Sequence, residues 1–130
     1  MHQYGILAVT SLIAMLLTTF HHSDDVVRGM APAGLTGNLV PVIFLLVWLY
    51  GTLVLAERRS GYVINLVGSL LASGLPLVHM MGSGLAGARI GSADGAFFFA
   101  WTLIALAVTA NFSAILSVRA LWSLRRGQAR

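Results

Sequence analysis

Four almost uncharged stretches, each long enough to cross a bilayer, take up most of this chain, and they leave few folds open to it. The apolar runs are Gly5–His21, Leu39–Ala56, Tyr62–Met81 and Ala96–Ala120. A spanning helix needs roughly 20 mostly apolar residues. Hydrophobic residues make up 58% of the chain and charged residues 9%, with a mean hydropathy of +0.86. A soluble domain carries about 25% charged residues, so this chain lacks the polar groups to cover a globular surface. Alternation at period two is absent, which argues against a β-barrel. In lipid, a helix satisfies its own backbone groups. The predicted fold is all-α: an integral membrane four-helix bundle, antiparallel, with one domain over residues 1–130. Its predicted helices are about 5–27, 39–56, 62–81 and 96–123, the first continuing from its short apolar run into a polar cluster.

Charge gives the predicted orientation. All eight basic residues are Arg. Arg58 and Arg59 lie between spans two and three, and Arg119, Arg125, Arg126 and Arg130 lie at or after the end of span four; only Arg28 and Arg89 fall on the other side. The positive-inside rule then places both termini in the cytoplasm. The net charge of +4 reflects this topology and implies no nucleic-acid partner. The expected partner is the bilayer, with a homo-oligomer or larger membrane complex open. The N-terminus lacks a basic n-region and a small-residue cleavage site, so it is expected to stay as the first span. With no cysteine, thiolate sites are excluded.

Several residues carry architectural expectations. Thr10, Ala14 and Thr18 form a small-residue stripe that His22 continues, suited to helix contact. Asn38 is expected to cap span two, with Pro41 in its first turn. Trp48 and Tyr50 are expected to pack or to anchor at an interface. The short Glu57–Gly61 turn makes spans two and three antiparallel neighbours. In span three, Gly68, Ser69, Ala72, Ser73 and Gly74 form a strip for close packing, and Pro76 removes a backbone bond and is expected to kink the helix three residues before His79. Phe97–Phe99 and Trp101 read as an aromatic belt. Asn111 is expected to make an interhelical hydrogen bond.

The chemistry gathers at the opposite end from most arginines. The run His21-His22-Ser23-Asp24-Asp25-Val26-Val27-Arg28 is the only dense ionisable cluster. Span three approaches the same outer level at His79, and Asp94 precedes span four there. His2 and Glu57 fall at the other end. On a helix turning about 100° per residue, His21, Asp24 and Asp25 share a face, and His22 points to its flank. Asp24 and Arg28 are four apart, suited to an ion pair. That leaves Asp25 with His21 or His22, and His79 across the bundle. Imidazole with carboxylate is a first-shell donor set for Zn, Mn, Fe or Cu(II). A hydrogen-bonded structural cluster uses the same residues. Met30, Met80 and Met81 add thioethers that would suit Cu(I).

The segment Thr18-Thr19-Phe20-His21-His22-Ser23-Asp24-Asp25-Val26-Val27-Arg28-Gly29 resembles a His-His-x-Asp-His-x-x-Arg-Gly signature of small, uncharacterised four-helix membrane proteins of bacteria. Residues 59–79 are loosely similar to that family as well. The resemblance implies four spans and carries no activity with it. Asp25 stands where the signature has its third histidine, which keeps a metal ligand but weakens a histidine-only mechanism.

The functional expectation is a bacterial inner-membrane protein with an outward, periplasmic His/Asp site for a transition metal. The ligand set is drawn from His21, His22, Asp25 and His79. The alternatives are a b-type cytochrome, with haem b held by histidines on two helices, and an accessory subunit whose role is packing. A proton-coupled transporter is disfavoured because no acid lies at mid-membrane. Whether the protein is an enzyme is open, and no catalytic residue can be named.

Overall fold

A chain this apolar can hide its backbone only in helices, and helices are what form. A computed structural model describes residues 2–29, 34–81 and 96–127. It contains α1 (His2–Val27), α2 (Leu35–Leu53), α3 (Arg59–Met81) and α4 (Ala96–Arg125). All four are long and apolar enough to cross a membrane. They run alternately up and down. The start of α1 meets the end of α2 and the start of α3, through Tyr4 bonding the Thr52 carbonyl and lying edge-on to Tyr62. The end of α1 meets the end of α3 and the start of α4.

Helix α3 packs most extensively on α4, then α1 on α4; α2 leans on α3 and α1. The reason is periodicity. On α1, Met15 is buried beside a seam of buried positions at Leu7, Ser11, Ala14, Thr18 and His21. Their spacing alternates four and three, which keeps a seam on one side of a helix. On α4, Phe99, Leu103, Leu106, Ala110, Ser113 and Ser117 follow the same rule. Ala14, Met15, Trp48, Ala72, Leu106 and Ala110 close the apolar core between the two ends. The outer faces remain apolar and exposed, as at Val9, Leu16, Ile43, Leu71, Ile104 and Val108.

Two buried polar layers cross the bundle on the Arg-rich side of this core. Ser11, Ser69 and Ser113, each fully buried, join three helices: Ser113 Oγ lies 2.7 Å from Ser11 Oγ and accepts from Ser69 Oγ at 2.9 Å. Asn65 Oδ1 accepts from Trp48 Nε1 (3.1 Å) and Thr52 Oγ1 (2.8 Å), and its Nδ2 donates to the Gly61 carbonyl (2.9 Å).

Several architectural expectations need correction. Asn38 does not cap α2: the helix begins at Leu35 after Gly34, whose φ of 94° breaks the chain direction, and no side chain caps it. Pro41 therefore lies inside α2 rather than in its first turn. The tight connection from α2 to α3 is Val54–Arg58, closed by Glu57 at φ 61° and by Arg58 N–H donating to Leu55 O at 3.1 Å. Gly61 belongs to α3 and lies against the carbonyls of Leu55 and Gly51, where any Cβ would collide. Gly68 is a true contact, since a Cβ there would come 2.6 Å from the Trp48 ring. Gly74 is not, because nothing among the described residues lies within 4 Å of its missing Cβ. Pro76 is carried within a continuous α3. Asn111 is exposed and donates to Ala107 O of its own helix at 2.8 Å, so it joins no neighbour. Trp48 is a packing residue at 1% exposure, whereas Tyr50 faces outward. The belt expectation fails at Phe99, which is buried, while Phe97, Phe98 and Trp101 are exposed.

Candidate metal centre

The site forms where two helical seams run out together. On α1 the seam reaches His21 and, one turn later, Asp25. On α3 the progression Asn65, Gly68, Ala72, Leu75 arrives at His79. A stripe at strict four-residue spacing drifts by about 40° per step on a helix of 3.6 residues per turn. The run Thr10, Ala14, Thr18, His22 therefore winds off the seam, and His21 occupies the buried place instead. His21 is 2% exposed, the side chain of Asp25 14% and that of His79 20%.

The three donor atoms form a compact triangle. His21 Nε2 and His79 Nε2 are 2.9 Å apart; Asp25 Oδ2 lies 3.4 Å from the first and 3.6 Å from the second. The imidazole planes are near perpendicular, at 89° with centroids 4.7 Å apart. Phe99 walls the site, with its ring 5.1 Å from that of His21 and 5.3 Å from that of His79. Arg28 lies over the same ring at 5.7 Å and pairs with Asp24 through Nε and Oδ2 at 2.6 Å. Asp24 is thus engaged with Arg28, and Asp25 turns inward.

Hydrogen bonding alone leaves this group short. A charge-assisted N–H to carboxylate bond is about 2.7–2.9 Å long, so contacts of 3.4 and 3.6 Å are too long. One imidazole can donate to the other at 2.9 Å, with roles set by the tautomer. Asp25 Oδ1 and His21 Nδ1 are buried and have no partner among the described residues.

A metal ion meets the geometry better. Ligands bonded at about 2.0–2.1 Å in a tetrahedron stand roughly 3.4 Å apart. The three edges here, 2.9, 3.4 and 3.6 Å, bracket that value. A point about 2.1 Å from all three atoms lies just off their plane, as in a site with three protein ligands.

Of the residues nominated from sequence, the structure brings His21, Asp25 and His79 together. His22 is not in the group and is half-exposed. Asp94 and Met30 lie outside the described residues, as do the side chains of Met80 and Met81. Phe99 was missed as a site residue. Its signal was its register: it begins the α4 seam that continues through Leu103 and Leu106. Comparison with family models, curated proteins and solved structures finds no match for this chain.

Proposed function

We propose that the protein is a small bacterial inner-membrane protein that binds one first-row transition-metal ion through His21, Asp25 and His79. The observation that carries this reading is the donor triangle, too open for a carboxylate hydrogen bond and spaced as metal ligands are. Two imidazoles and a carboxylate suit zinc, iron, manganese or Cu(II). With three protein ligands, one position remains for water or a substrate. The site lies at the end of the bundle opposite Arg58, Arg59, Arg119 and Arg125. The positive-inside rule therefore supports both termini in the cytoplasm and the metal near the periplasmic face.

A b-type cytochrome is the weaker reading. Axial nitrogens on a haem iron stand about 4 Å apart with the porphyrin between them, by the usual metal–nitrogen bond lengths. The ring nitrogens here are 2.9 Å apart. A Soret band in the purified protein would reverse that order. A purely structural subunit would leave Asp25 Oδ1 buried with no hydrogen-bond partner among the described residues.

Metal analysis of detergent-purified protein, loaded with zinc and then dialysed, tests the reading. One equivalent per chain is expected, retained in His22→Ala and lost in His79→Ala and Asp25→Ala. No retained zinc in the parent protein, or equal loss in His22→Ala, would overturn it.

A further inference from the structure

A groove of about 400 Å³ opens between the start of α3 and the end of α4, at the end of the bundle remote from the histidines. Its walls include Val63, Leu66 and Leu121 with the Trp122 indole, and Arg59 and Arg125 stand on its rim. Neither arginine pairs with a carboxylate among the described residues. Among the described residues the only acid near this end is Glu57. Arg126 lies over the Trp122 ring at 4.8 Å, which gives the indole a cationic cover. Trp122 remains 57% exposed and Val63 43% exposed, so the groove opens onto the outer surface of the bundle.

We infer that this groove holds one anionic phospholipid, with its phosphodiester between Arg59 and Arg125 and an acyl chain along the apolar wall. Both halves of the groove are then used. Guanidinium groups bind phosphate oxygens through paired N–H donors. Basic pockets at helix ends select anionic head groups, because a zwitterionic lipid brings its own cation. A small soluble anion would satisfy the arginines but make no use of the apolar wall of Val63, Leu66 and Leu121. The inference rests on membrane insertion and is independent of metal binding, so a protein that retains no metal leaves it untouched.

The test uses the full chain with Trp101→Phe, which leaves Trp122 as the exposed indole beside buried Trp48. The protein is placed in phosphatidylcholine vesicles with brominated acyl chains, or in vesicles where brominated phosphatidylglycerol replaces part of that lipid. Quenching of Trp122 reports the lipid in the groove. The expected result is a preference for phosphatidylglycerol of roughly 10-fold or more in relative association, from two basic contacts. Arg59→Gln with Arg125→Gln should remove the preference, while Arg119→Gln should keep it. Unchanged helix content by circular dichroism in the double variant shows that the loss is local. Inorganic phosphate at millimolar concentration should not displace the lipid. Equal quenching by both lipids, an equal loss in Arg119→Gln, or full displacement by phosphate would overturn the inference.

Discussion

The bundle buries polar groups at two levels, and they are treated differently. On the Arg-rich side, Ser11, Ser69 and Ser113 bond one another, and Asn65 is shared between Trp48, Thr52 and its own helix. Every polar side-chain atom there has a partner. At the other end, Asp25 Oδ1 and His21 Nδ1 have none among the described residues, and Asp25 Oδ2 stands 3.4 Å or more from its neighbours. Burying an unsatisfied polar group costs about 1–3 kcal/mol. A satisfied cluster is explained by the fold it holds together. An unsatisfied one, made of the residue types that bind metals, is what the proposed metal site would account for.

The largest expected effect tests the satisfied level. Gly68→Leu drives a side chain into Trp48 and pulls it from Asn65. Thermal unfolding in detergent should show a loss of up to roughly 3 kcal/mol. Gly74→Leu, on the same helix with open space around it, should stay within about 0.5 kcal/mol of the parent. Comparable losses in both would mean that Gly68 is no special contact.

Asn65→Ala should come next, at about 1–3 kcal/mol, because it strands the Trp48 N–H. Ser113→Ala removes the hub of the serine cluster and should cost about 0.6 kcal/mol, and no more than about 1.7, as hydrogen bonds inside membrane bundles do. Asn111→Ala should move stability by less than about 0.5 kcal/mol, since its bond is to its own helix on an exposed face. The contrast sharpens in metal-free protein. There Asp25→Leu should be neutral or stabilising, because a poorly compensated carboxylate is exchanged for an apolar side chain. A loss of 2 kcal/mol or more would show that Asp25 is structural glue like Asn65.

Asn65 and Asn111 also show what could be read in advance. Both sit inside long apolar runs, and composition treats them alike. The four helices followed from apolar length, and the Asp24–Arg28 pair followed from four-residue spacing. Which asparagine joins two helices depends on rotation about the helix axis. Asn65 lies on a seam with Gly61, Gly68 and Ala72; Asn111 lies off the seam of Ala110 and Ser113. The same rotation separates His21 from His22. His79 was legible as a group at the same level, but its approach to 2.9 Å depends on how α3 packs against α1 and α4. The start of α2 was misread because Asn38 and Pro41 resemble a helix start, while Gly34 four residues earlier supplies the break.

X-ray absorption at the zinc edge of the loaded protein tests the central claim most directly. The expected spectrum has two imidazole nitrogens and a carboxylate oxygen at about 2.0–2.2 Å in a four-coordinate shell, and dialysed His79→Ala should give no such signal. A shell of water oxygens alone, or a spectrum that His79→Ala leaves unchanged, would contradict it.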